Sequence, residues 1–271
     1  MVTLSGHLRL QAAARPDGRT VLAVQSFRAP YHLSKPYWDA DVGALLVQVV
    51  NPTAGILEGD SLTSDITVER NAALLVTTPS ASRVFKMKNG SAECRQDFKV
   101  AKGGWLEVLP EPLVPHRGCR YRQATTIEVA SGGGLFYVDL LMAGRIAHGE
   151  AWGWEKLCLE TSVRLDGELV LRERFEQSGT ELKALAALSG SGPKACFGNA
   201  LLIAEGEAPW LPAVAALHGD GTWVGVSPLR KGGWSIKFVA PDSIRLRQTV
   251  NALREILAAQ YPKLGCATRK L

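Results

Sequence analysis

The chain has 271 residues, of which 31 are Lys or Arg against 26 Asp or Glu, a formal charge of +5, and 46% are hydrophobic. That length is enough to bury a real core and suits a single domain spanning 1–271. Its basic residues are scattered rather than run together, which excludes a nucleic-acid tail and leaves at most an acidic protein partner.

In chain order, the opening MVTLSGHLRLQAAARPDGRT has no apolar stretch of signal-peptide length. No later segment reaches the length of a membrane helix, so a cytoplasmic protein with no membrane partner is expected. GALLVQVV reads as a strand, and NPTAGILEGD after it as a turn. A phosphate loop would need Lys and then Ser or Thr after the last glycine; Asp60 and Ser61 follow Gly59, and a carboxylate there repels phosphate. SLTSDITVER places Leu62, Ser64, Ile66 and Val68 on one side of a strand, and AALLVTT continues after a turn at Asn71. ECRQDFKV, GGWLEVLP, RQATTIEVA, GLFYVDLLMAG, LCLETSVRL and ELVLRERFEQ follow at even spacing, the last two joined by a tight Asp166-Gly167 hairpin. Strands so regular predict a mainly β architecture up to about residue 178.

Beyond SGSGP, a loop at 189–193, the pattern turns helical. APWLPAVAALH predicts a short helix with Pro209 in its first turn. PDSIRLRQTVNALREILAAQY predicts a longer one, capped by Asp242 or Ser243, with Ile244, Val250, Leu253, Ile256 and Leu257 on its buried face. GDGTWVG between them has the wrong spacing for a dinucleotide loop and reads as a turn.

Few residues carry obvious chemistry. The five cysteines are odd in number, widely spaced and without a Cys-x-x-Cys pair, so reduced core thiols are expected. His116 with Cys119, and His148 with Glu150, supply two potential metal ligands each, short of the three or four a tight site needs. Four carboxylates remain. Asp60 closes the glycine turn, Glu107 lies in WLEVLPEP, Asp139 interrupts the apolar run FYVDLLMAG, and Glu150 follows GRIAHG. A buried carboxylate needs a partner, which makes Asp139 and Arg145 a candidate pair.

Four segments, in order, resemble the urease accessory protein UreD (UreH) family: NPTAGILEGD, LLVTTPSASRVFKM, WLEVLPEPLVPHRG and LLMAGRIAHGEAW. The resemblance covers about residues 1–178. Thr53-Ala54 stands where that family commonly has Gly, Arg83 and Phe85 replace Lys and Tyr, and the tail GCATRKL lacks the family's Pro-Arg-x-Trp-like ending. The resemblance implies a layered, β-helix-like stack of strands with about two α-helices in the C-terminal half. It further implies a non-enzymatic scaffold, acting with UreF and the GTPase UreG on urease apoprotein in metallocentre assembly. No tightly bound cofactor is implied, but nickel would cross the protein along a water-filled path. Asp60, Glu107, Asp139 and Glu150 would then be its metal contacts, Thr77, Thr78 and Ser80 its polar lining, and Arg145 a partner for Asp139 or Glu150. A conduit must bind its ion weakly enough to release it, a demand that oxygen ligands meet and a Cys/His cluster does not.

Two rival readings stay open. An all-β carbohydrate-active hydrolase would set two of these carboxyl groups roughly 5 to 9.5 Å apart across a groove with aromatic platforms. A β-rich binding module without a metal role would present several of the seven tryptophans at its surface.

Overall fold

The computed structural model describes residues 4–192 and 194–268; Pro193 of the SGSGP loop, the first three residues and the last three residues of the GCATRKL tail lie outside them. β1 (Ser5–Ala14) and β2 (Thr20–Arg28) open the chain, followed by the short β3 (His32–Leu33) and β4 (Tyr37–Asp39) and by β5 (Ala44–Val50). From there the chain winds back and forth between two layers. It passes through β6 (Ser61–Val68), β7 (Ala73–Thr77), β8 (Ser82–Val84), β9 (Ala92–Val100), β10 (Trp105–Leu109), β11 (Leu113–Pro115), β12 (Arg120–Val129), β13 (Gly134–Leu141), β14 (Lys156–Leu165) and β15 (Glu168–Gln177). α1 (Gly179–Leu188), β16 (Cys196–Ile203), α2 (Leu211–Ala215), β17 (Trp223–Pro228), β18 (Trp234–Ala240) and α3 (Ser243–Ala258) complete it.

The winding makes a solenoid-like stack. β1, β6, β9, β12 and β14 lie parallel in one sheet, and β5, β7, β10 and β13 lie parallel in the other. Asn71, at φ 61°, makes the tight crossing turn from β6 to β7. On the third, narrow side β8 and β11 pair in parallel. β6 shows why the coils hold together: Leu62, Ser64, Ile66 and Val68 all turn inward and are buried, as their two-residue period requires. Leu8, Ile66, Phe98 and Ile127 from the first sheet meet Leu74, Leu106 and Leu135 from the second. Antiparallel strands close the edges, β2 on β1 and β15 on β14, the latter through the Asp166-Gly167 turn at φ 48° and 81°.

The C-terminal third departs from expectation in four ways. It continues the second sheet with β16, β18 and β17, which carry no clear alternation. CFGNALLI hides both faces, Leu201 toward the inter-sheet core and Leu202 toward the helices, so its polar half is missing. A third helix, α1, stands after β15, and its signal was the capping box Ser178-x-x-Glu181. In α2 it is Pro212, not Pro209, that occupies the first turn. α3 is capped by Asp242 and buries Leu246, Thr249, Val250, Leu253 and Leu257; Ile244, two residues from Leu246 and so nearly opposite on the helix, is 70% exposed.

All five cysteines are buried with free thiols. Among the described residues no helix is long and apolar enough to cross a membrane.

Candidate functional site: two cavities that share Asp139

The four carboxylates go to four places. Asp60 is 2% exposed, and its two oxygens accept the backbone N–H groups of Leu4 (3.0 Å) and Leu57 (2.8 Å), tying the start of β1 to the glycine turn. Glu107 is fully buried behind the second sheet, held by Arg254 of α3 through Nε (2.6 Å) and Nη2 (3.2 Å); Nη2 also donates to the Cys266 carbonyl. Burial pushes the Glu107 carboxyl up, to about 7, against the pull of Arg254. Glu150 takes Arg145 in a two-pronged pair at 3.0 and 2.7 Å, and that contact holds its carboxyl below the usual range.

Arg145 therefore does not pair with Asp139. Asp139 shares the inward face of β13 with Tyr137, whereas Arg145 lies in the loop beyond the strand and meets Glu150 there. Asp139 is held by neutral donors instead: the Tyr137 hydroxyl, in a short hydrogen bond, and Gln123 Nε2 at 3.3 Å. Burial raises its carboxyl to about 6, an effect these two hydrogen bonds oppose. Asp139 is half-buried and lines two cavities at once.

The first cavity, about 270 Å3, lies between the two sheets. Thr77, Thr78, Ser80 and exposed Arg83 line it, as do Cys94, Tyr121 and Asp139. The threonine hydroxyls are already engaged, Thr77 donating to the Leu109 carbonyl at 2.7 Å and Thr78 accepting from Glu111 N–H at 2.8 Å. Their outer lone pairs remain. Cys94 is the one thiol on this wall, and burial raises it to about 11, so it stays protonated near neutral pH.

The second cavity, about 850 Å3, begins at the same Gln123 and Asp139 and opens beside α1 and Trp223. Across the sheet Asp139 faces Asn199, and Asn199 faces Lys237. Glu173 of β15 bridges them, accepting from Asn199 Nδ2 at 3.2 Å and pairing with Lys237 at 2.8 Å. Asn199 Oδ1 is buried with no hydrogen-bond donor among the described residues.

Gln123, Tyr137, Glu173, Asn199 and Lys237 are the site residues that sequence reasoning missed. A signal for two existed: Gln123 and Thr125 break the apolar pattern at inward positions of β12, and Tyr137 shares the two-residue period with Asp139. Glu173, Asn199 and Lys237 come from strands whose pairing is set by the fold alone. Among the described residues no group of three or more His, Cys, Asp and Glu side chains is placed to hold a metal ion. His116, from the weighed pair with Cys119, packs its ring against Phe85 at 4.7 Å.

A family model described as UreD urease accessory protein matches residues 4–269. The chain is 62% identical over 269 residues to a urease accessory protein UreD of Opitutus terrae, covering 98% of this chain and 99% of that protein. It is 39% identical over 216 residues to one of Yersinia enterocolitica, covering 75% of this chain and 65% of that protein. A third, of Photorhabdus laumondii, is 33% identical over 204 residues, which span 73% of this chain and 63% of that protein.

Proposed function

The chain belongs to the UreD urease accessory protein family, and from that premise we propose that it is a non-enzymatic scaffold for nickel insertion into urease, working in the cytoplasm with UreF, the GTPase UreG and urease apoprotein. The observation that carries the nickel role is Asp139, one carboxylate that lines both a cavity bordered by Ser80 and a cavity bordered by α1.

Nickel is the cargo. The ion enters past Thr77, Thr78 and Ser80, meets Asp139, and leaves past Asn199 and Glu173. Each stop offers oxygen and little else, so the ion is bound weakly enough to move on. Tyr137 and Gln123 are uncharged and can give up Asp139 to a passing cation at the cost of two hydrogen bonds rather than an ion pair. Glu173 is different, because it must exchange Lys237 for the cation, which makes it the slower step. Asp60, Glu107 and Glu150 line neither cavity and have their oxygens engaged by backbone N–H groups or arginine. We assign them to the scaffold rather than to the route.

The hydrolase reading loses ground because no two of Asp60, Glu107, Asp139 and Glu150 line one cavity, and the carboxylates that do share one with Asp139, Glu111 and Glu173, are paired with Arg247 and Lys237. The bare binding module loses ground because, of the seven tryptophans, only Trp223 is an exposed one, at 49%.

The test is co-expression of urease with its accessory proteins and either wild-type chain, Asp139→Ala or Asp60→Ala, measuring nickel per purified urease and the recovery of the complex. Asp139→Ala is expected to leave the complex and cut nickel loading at least fivefold, and Asp60→Ala to lower complex yield and loading together. Normal loading with Asp139→Ala would remove the conduit.

A further inference from the structure

The narrow side of the stack carries a row of cations with no carboxylate paired to them. Arg83, Lys86, Lys88 and Arg117 are exposed there, and none has an acidic partner within 4.0 Å among the described residues. The acids of the same ridge are spoken for. Glu58 accepts the backbone N–H groups of Lys88 (2.6 Å) and Gly90 (2.9 Å), Glu150 holds Arg145, and Glu155 holds Arg120 in a short contact.

The backbone builds this row. β8 and β11 pair with Arg83 beside Val114, and the loops that follow continue the ladder through Met87 N–H to the Gly118 carbonyl and Gly118 N–H to the Gly153 carbonyl. At two rungs a glycine lets the coils close up under a basic side chain. Gly118, at φ +70°, lies under the Lys86 stem, 3.4 Å from where its own Cβ would stand, and a Cβ on Gly153 would come within 3.1 Å of the Arg117 Cβ. Successive coils in such a stack are about 4.8 Å apart. Lys86 and Arg117 therefore stand on neighbouring rungs with their charges turned out, and Arg83 stands next to them on the wall of the first cavity.

We propose that this ridge docks an acidic face of a protein partner, whose carboxylates pair with Arg83, Lys86 and Arg117. Exposed cations left unpaired on a surface steer and register an oppositely charged partner. Glu58, Glu150 and Glu155 stand among them, and a nucleic acid, with a phosphate at every step, would meet those acids as repulsion. A folded protein can set its carboxylates on the cations and its donors on the acids. The ridge also borders the cavity wall, so docking would replace a positive rim with a neutralised one; only that consequence for nickel rests on the conduit reading.

The probes are a fluorescent 12-residue polyglutamate peptide and a 12-base-pair DNA duplex, titrated against the full chain at 50 and 300 mM NaCl. The variants are R83E/K86E/R117E, the charge-preserving R83K/R117K, and R9E/K99E on the outer face of the first sheet, all checked for an unchanged thermal melt. The expected result is peptide binding that weakens at least tenfold at the higher salt. It should weaken at least tenfold in the triple variant at 50 mM, with less than a threefold change in the other two. Equal binding by the triple variant, equal loss in R9E/K99E, or tighter binding of the duplex than of the peptide would each overturn the docking surface. If the triple variant loses the peptide while Asp139→Ala loads urease normally, docking stands and the conduit falls.

Discussion

Glu107 and Asp139 are both carboxylates turned away from bulk solvent, on neighbouring strands of one sheet, and they are treated in opposite ways. Glu107 faces the helical side, sealed under α3 and clamped by a guanidinium that also holds the Cys266 carbonyl. Asp139 faces the inter-sheet side and is held by a phenol and an amide, with open space on two flanks. The difference teaches how burial alone fails to identify function. A carboxylate matched by a charge belongs to the fold, because losing either partner strands the other; one matched by neutral donors is free to change partners.

The largest effect should come from breaking the sealed pair. Arg254→Ala leaves the Glu107 charge buried and unmatched and is expected to cost about 3–5 kcal/mol, read as a lower midpoint in urea unfolding. Adding Glu107→Gln to it should recover part of that loss, and failure to recover any would mean that Arg254 acts through the Cys266 carbonyl instead. Next in size is Asp60→Ala, which strips acceptors from the Leu4 and Leu57 N–H groups and should cost about 1–3 kcal/mol.

Asp139→Asn should move stability the other way. Because burial raises the Asp139 carboxyl to about 6, the folded state holds its proton more tightly than the unfolded chain does, so stability is lost as pH rises from the ordinary aspartate range through about 6 and stays level above it. The variant is expected to be more stable than wild type at pH 8 by on the order of 1 kcal/mol, a value kept small by water access through the cavities, and the gain should vanish by pH 4. The same titration sets the direction for function. Nickel loading by the wild-type chain should fall as pH drops through about 6, and a loading curve flat from pH 5 to 8 would place the working carboxylate elsewhere. Smallest of all, Ile244→Lys on the outward side of α3 should change stability by less than about 0.5 kcal/mol.

Much of the stack was legible in the residues. Leu62, Ser64, Ile66 and Val68 announced an inward face, and Asp166-Gly167 announced its hairpin, because strand period and turn chemistry are local. Asp242 announced its helix for the same reason. What stayed hidden depends on pairing across the chain. Arg254 lies 147 positions from Glu107, and Glu173 and Lys237 meet only because β15 and β18 lie on facing sheets. The polar cluster between the sheets was visible only through Asp139, whose two nearest partners, Tyr137 and Gln123, signal it by being polar where a core strand should be apolar.

Every coil of the stack is a template for another, and nothing in a parallel ladder tells it when to stop. Here the first sheet ends on β15, an edge strand whose Arg172, Glu173, Arg174 and Glu176 alternate in sign along a free margin. An incoming strand from a second molecule would have to match that sequence of charges or bury them. The hairpin at Asp166-Gly167 thus does more than reverse the chain: by folding an antiparallel, highly charged strand over the last parallel one, it turns a structure able to grow as a fibril into one that terminates.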